Sequence, residues 1–275
     1  MKSLFIAMKT LFRRLVNFDS LLNASAFSLI NSKFNKIDCD ISDFFAFRLD
    51  GYETVFIAEN NLAILSGQHI KCTHLFHFFD IEGDSCGVFE AEDDKFSYRL
   101  EINKSITNGR EMGGFTHHIK YPGATSEKYS GLLSGISFQH RGYTGFRKLK
   151  DFGYSYMHGN FGGLYFDKNN QLKSYARLRG KHVYMPQLII KSDYSYDFLF
   201  SNPTNKNVSI KFFLLNDNSL ESIEEALLPP YATHKTTLID TNIPNNCNIS
   251  WETNFPIGRC IIFEYNESDF DVFHS

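Results

Sequence analysis

From about residue 44 onward the chain alternates. Phe96, Tyr98, Leu100 and Ile102 share one side of an extended segment, and Ser97, Arg99 and Glu101 share the other. Successive side chains of a strand leave opposite faces, so this period of two predicts a half-buried strand. With the run 87–90 and the acidic turn 92–95 before it, the segment predicts a hairpin. Segments 44–49 and 54–58 read as strands around a turn at Asp50-Gly51, and Leu164, Tyr165 and Phe166 precede a turn at 167–170.

Beyond residue 187 the pattern is more regular. A strand at 196–200 and a polar turn at 202–207 lead into alternating Val208, Ile210, Phe212 and Leu214. The mixed segment 219–226 reads as a short helix, and 236–239, 247–251 and 259–264 as three further strands. Short strands about ten residues apart, separated by Pro, Asn and Gly turns, predict antiparallel packing. No strand alternates with a long helix, so a parallel α/β sheet is not expected.

The amino terminus has a different period. Leu4, Phe5, Met8, Leu11, Phe12, Leu15 and Val16 recur at helical spacing, with Lys2, Lys9, Arg13 and Arg14 opposite. Asp19 or Ser20 caps a second helical piece over 21–30. Such a basic amphipathic helix either packs on its own domain or contacts a membrane surface or protein partner through residues 1–18. Lys9 interrupts the apolar run, so a signal peptide is not expected, and no run of eighteen apolar residues predicts a spanning helix.

The expected fold is all-β: antiparallel β-sandwich or jelly-roll-like sheets with an amino-terminal helical extension. The expected units are 1–43 (helical), 44–186 (a His-rich β domain) and 187–275. In the last unit Asn202-Pro203-Thr204 and Leu228-Pro229-Pro230-Tyr231 resemble the general pattern of Ig-like accessory domains. That resemblance implies a fold class and no chemistry.

Composition sharpens this picture. Hydrophobic residues make up 43%, with 28 Phe and 14 Tyr against the single Trp251, a skew that favours pleated surfaces. Net charge is −3, so no basic field exists to neutralise phosphates and nucleic acid is not an expected partner. Five dispersed cysteines lack any Cys-x-x-Cys pair and read as reduced, buried thiols in a cytoplasmic protein. A Cys72–Cys86 or Cys247–Cys260 disulfide is the alternative in an oxidising compartment.

Eight of the ten histidines lie between His69 and His182. A metal centre needs three or four converging ligands, and His74, His77, His117 and His118 are the candidates for a divalent transition metal. On strands, however, His74 and His77 point to opposite faces, as do His117 and His118. The stretch 139–163 is the other candidate site. Arg141 offers a bidentate fork, and Tyr143, Tyr154 and Tyr156 offer flat faces for a sugar ring. His140, His158, Gln139 and Asn160 offer hydrogen bonds to hydroxyls, and the interleaved glycines allow either close approach or tight turns. No Gly-x-Ser-x-Gly elbow, phosphate loop or complete calcium loop is present. The expected function is a non-catalytic binding or accessory protein for a carbohydrate or similar polar ligand, through His140, Arg141, Tyr143, His158 and Asn160. A metal-dependent hydrolase or oxygenase is the alternative.

Overall fold

The computed structural model describes residues 41–129, 139–140, 142–148, 153–167, 169–174, 181–186, 188–216, 219–239, 247–255 and 259–274. The amino-terminal helix, the contact assigned to residues 1–18, and Arg141 all lie outside these residues.

Strands are the dominant element of the described residues. The first ten strands are β1 (Ile41–Arg48), β2 (Tyr52–Glu59), β3 (Cys72–Phe79), β4 (Ser85–Asp93), β5 (Ser97–Ile102), β6 (Met112–Lys120), β7 (Gln139–His140), β8 (Tyr143–Lys148), β9 (Ser155–His158) and β10 (Asn160–Phe166). There follow β11 (Leu172–Ser174), β12 (His182–Tyr184), β13 (Ser195–Ser201), β14 (Val208–Asn216), β15 (Ser219–Leu228), β16 (Thr233–Leu238), β17 (Asn248–Thr253), β18 (Ile261–Tyr265) and β19 (Phe270–His274). Two short helices, α1 (Asn61–Ser66) and α2 (Gly123–Lys128), interrupt them. None of the described helices is long and apolar enough to cross a membrane.

Four sheets result. The first runs β11-β10-β1-β6-β3-β4, with β7 added beside β1; the second runs β5-β2-β8-β9. The third runs β12-β17-β14-β15 and the fourth β16-β13-β18-β19. Every ladder is antiparallel except the short β1–β7 pairing. One compact unit comprises 39–122 with 138–275; residues 123–129, with α2, belong to another.

Side-chain alternation explains the layers. Phe45 and Phe47 of β1 meet Phe76, Phe78 and Phe115 of the first sheet and Phe56, Leu100 and Ile102 of the second in one buried cluster. In β13, Tyr196, Phe198 and Phe200 face Phe212, Trp251 and Ile249 of the third sheet. The opposite side of the fourth sheet, through Leu199, Ile261 and Phe263, packs on Ala46, Tyr52 and Phe146. The fourth sheet is therefore covered on both faces, which is why its strands read as near-continuous apolar runs. These clusters join strands on either side of residue 187.

Two expectations fail for identifiable reasons. The strands flanking the turn at 92–95 form no hairpin: β4 pairs with β3, and β5 pairs with β2. The turn instead carries the chain between sheets whose inner faces share one core, with Phe89 and Tyr98 both packed against it. Segment 219–226 is not helical but part of β15. Its alternation is broken because Phe212 pairs with Glu224 while Phe213 pairs with Ser222, leaving Ile223 as a bulge. Ladder bonds to β14 override the weak helical preference of the segment. Cys72, Cys86, Cys247 and Cys260 are free thiols.

Candidate functional site

The four candidate metal-binding histidines divide between the two faces of the first sheet. His74 and His117 lie on the inner face, where His74 Nδ1 is 2.9 Å from His117 Nε2 and His74 Nε2 is 3.5 Å from Cys72 Sγ. Asn60 Nδ2 donates to the same sulfur at 3.3 Å, and the ring of Tyr98 stacks 4.8 Å from that of His74. Burial pushes the Cys72 thiol up to about 12, so it stays protonated and a poor nucleophile at neutral pH. This is a polar chain built into an aromatic core.

His77 and His118 lie on the opposite face, both against Phe166, with ring centroids 6.0 and 5.0 Å away. His77 Nε2 hydrogen-bonds Ser85 Oγ at 2.8 Å. The period of two thus separates the four histidines two and two. Among the described residues, no three His, Cys, Asp or Glu side chains gather where they could hold a metal ion.

The polar stretch 139–163 also divides. His140 stands in β7, its backbone beside Ser42 of β1. Asn160 opens β10 in the first sheet and donates its amide to Arg259 O at 3.0 Å. Tyr143 and His158 do come together, as a cross-strand pair of β8 and β9 with ring centroids 4.6 Å apart. His158 O is in turn 2.7 Å from His274 Nε2, so β19 secures β9.

Around Tyr143 and His158 the outer face of the second sheet forms a continuous polar and aromatic surface. Register places Tyr143 beside His158, Gly145 beside Tyr156, and Glu53 beside Arg147. Tyr143 is 36% exposed and Tyr156 39%. A Cβ on Gly145 would lie 2.7 Å from the Tyr156 ring, so the glycine is what lets that ring lie down on the sheet. The neighbouring glycines serve packing instead. A Cβ on Gly142 would lie 1.9 Å from the Phe56 ring, and one on Gly159 2.7 Å from Phe45.

Beside Tyr156 the surface becomes charged. Arg147 and Tyr154 OH both donate to Glu53 Oε2, the latter at 2.9 Å. The Arg147 hydrogen bond, followed by that of Tyr154, holds the Glu53 carboxyl below its ordinary range. The guanidinium carbons of Arg147 and Arg99 lie 4.6 and 5.2 Å from the Tyr154 ring centroid. An open groove of about 650 Å³ begins here, lined by Glu53, Val55, Arg99, Glu101, Arg147 and Tyr154 among others.

Sequence reasoning reached Tyr143, Tyr154, Tyr156 and His158 but not Glu53, Arg99, Glu101 and Arg147. Those four come from β2, β5 and β8, which only the register brings together. The outward assignment of Arg99 and Glu101 by alternation was the one available signal.

The chain matches no known family and no curated protein. Among solved structures it is similar to trypsin-activated alpha-2-macroglobulin from Escherichia coli, at 7% identity over 86% of this chain and 15% of that one, with a TM-score of 0.19. It is also similar to a beta-glucuronidase from glycoside hydrolase family 2, at 9% identity over 87% of this chain and 25% of that one, again with a TM-score of 0.19. The chain thus spans a quarter or less of the length of either.

Proposed function

We propose that this chain is a non-catalytic binding or accessory protein for a carbohydrate or a similar hydroxyl-rich ligand. In this reading the third and fourth sheets are an Ig-like sandwich serving as scaffold. The second sheet carries the ligand on its outer face. The observation that carries the reading is the exposed ring of Tyr156 lying over Gly145, between Tyr143 with His158 on one side and the arginine–glutamate groove on the other. Sugar rings combine apolar faces with a rim of hydroxyls, so they need a flat aromatic surface next to donors and acceptors. The division of the candidate metal histidines between two faces favours this reading over a metal-dependent enzyme.

The test is a binding screen of the full chain against an array of oligosaccharides, followed by calorimetry on each hit. Tyr156→Ala is expected to weaken binding at least about tenfold, as the loss of roughly 1.4 kcal/mol would, with the circular dichroism spectrum unchanged. An array on which the folded protein binds nothing, or a hit indifferent to Tyr156→Ala, overturns the reading.

A further inference from the structure

We propose that the groove selects neutral saccharides over acidic ones and that Glu101 sets the preference; the inference rests on the carbohydrate reading above. Several charges around the groove are already paired. Arg147 is paired with Glu53, and Lys104 Nζ lies 2.5 Å from Glu111 Oε1. That leaves Arg99, set over the Tyr154 ring, and Glu101, whose charge also acts on Arg147; neither forms a direct ion pair among the described residues. The lining holds Arg99, Lys104 and Arg147 against Glu53 and Glu101. Glu111, outside the lining, neutralises Lys104, so the groove offers little net field to draw in an anion.

Placement adds specificity. Arg99 and Glu101 are two residues apart on β5, both on its outward side, opposite Ile57 and Val55 of β2. Their backbones are about 7 Å apart along the strand. One supplies a planar fork of donors, the other an acceptor only. A sugar hydroxyl both donates and accepts, so adjacent hydroxyls on one ring satisfy both side chains at once. A uronate carboxylate drawn to Arg99 would stand within reach of Glu101, which repels it. Without Glu101, the same Arg99 fork would suit a carboxylate well.

The decisive experiment measures affinities of the full chain for a series of neutral gluco-oligosaccharides and for their counterparts oxidised to uronates at C6. Wild type is expected to bind the neutral members at least about tenfold more tightly, with little dependence on salt. Glu101→Gln is expected to shrink that ratio several-fold by admitting the uronates. Arg99→Gln is expected to weaken the neutral members and to leave Glu101→Gln no gain for uronates in the double variant. Uronates that bind wild type as well as the neutral sugars do, or a ratio that Glu101→Gln leaves unmoved, overturn the proposal. If Tyr156→Ala still weakens binding at least about tenfold in that case, the carbohydrate reading stands without it. Absence of binding to either series by folded wild type overturns both.

Discussion

Arg48 donates from Nη2 to Asp197 Oδ2 at 2.7 Å, with their side chains only 5% and 2% exposed. The contact joins β1 of the first sheet to β13 of the fourth. The guanidinium is held between the rings of Tyr52 and Phe263, at 4.1 and 4.7 Å, and also reaches Asp50 Oδ1 at 2.7 Å. Thr237 Oγ1 donates to the other Asp197 oxygen at 2.6 Å.

Without Asp197 the buried Arg48 keeps only the part-exposed Asp50 as a counter-charge, and Thr237 loses its acceptor. Asp197→Ala is expected to lower stability by about 1–3 kcal/mol, read as a shift in urea midpoint. Replacing both partners with apolar residues, Arg48→Met with Asp197→Leu, is expected to recover most of that loss. A single variant as stable as wild type would mean that the pair contributes nothing to joining the sheets.

Gly145 offers a way to disturb the proposed platform without touching a ligand-contacting side chain. A methyl there meets the Tyr156 ring at 2.7 Å and Val55 at 2.9 Å, and both are side chains able to give way. Gly145→Ala is expected to cost about 1–3 kcal/mol of stability and to weaken saccharide binding by lifting the ring. Unaltered affinity in this variant would show that the orientation of Tyr156 is irrelevant to recognition.

Stability should fall on both sides of neutrality. Burial pushes Cys72, Tyr196 and Tyr231 each up to about 12, from ordinary values of 9.0 for the thiol and 10.0 for the phenols. Between those limits the folded chain holds protons that the unfolded chain releases, so stability is lost as pH rises above about 9. His77 and His274 are lowered from 6.5, chiefly by burial. The unfolded chain therefore binds protons first on acidification, and stability declines as pH falls below about 6.5. Thermal melts from pH 4 to 11 check both limbs; a melting temperature flat from pH 9 to 11 would contradict the alkaline one.

Thiol reactivity gives a separate check on the core. Cys72, Cys247 and Cys260 are buried, whereas Cys86 is half-exposed. Alkylation of the native protein at pH 8 followed by peptide mapping should mark Cys86 well ahead of the other three. Rapid labelling of Cys72 would be incompatible with its place beside His74 and Asn60.

How far the sequence foretold this arrangement depends on the range of the interactions involved. Alternation sorted β5 and β14 correctly into inward and outward residues, because a strand's period is local. It also implied the divergence of His117 from His118 that the first sheet displays. Pairing was not legible. Nothing in residues 92–95 distinguishes a hairpin turn from a corner between sheets, and the bulge at Ile223 disguised β15 as a helix. The site followed the same rule. Tyr143, Tyr154, Tyr156 and His158 are near neighbours in the chain and were visible together. Glu53, Arg99, Glu101 and Arg147 meet only through ladders spanning up to about a hundred residues.

The contact between His274 and His158 makes the last strand a buttress for the face that carries the rings. Ser155, at the other end of β9, also donates to Asp271 of β19 at 3.1 Å, so both ends of β9 are tied to one neighbour. Whatever shifts β19 therefore shifts the ring of Tyr156 with it, and the binding face inherits the rigidity of the fourth sheet.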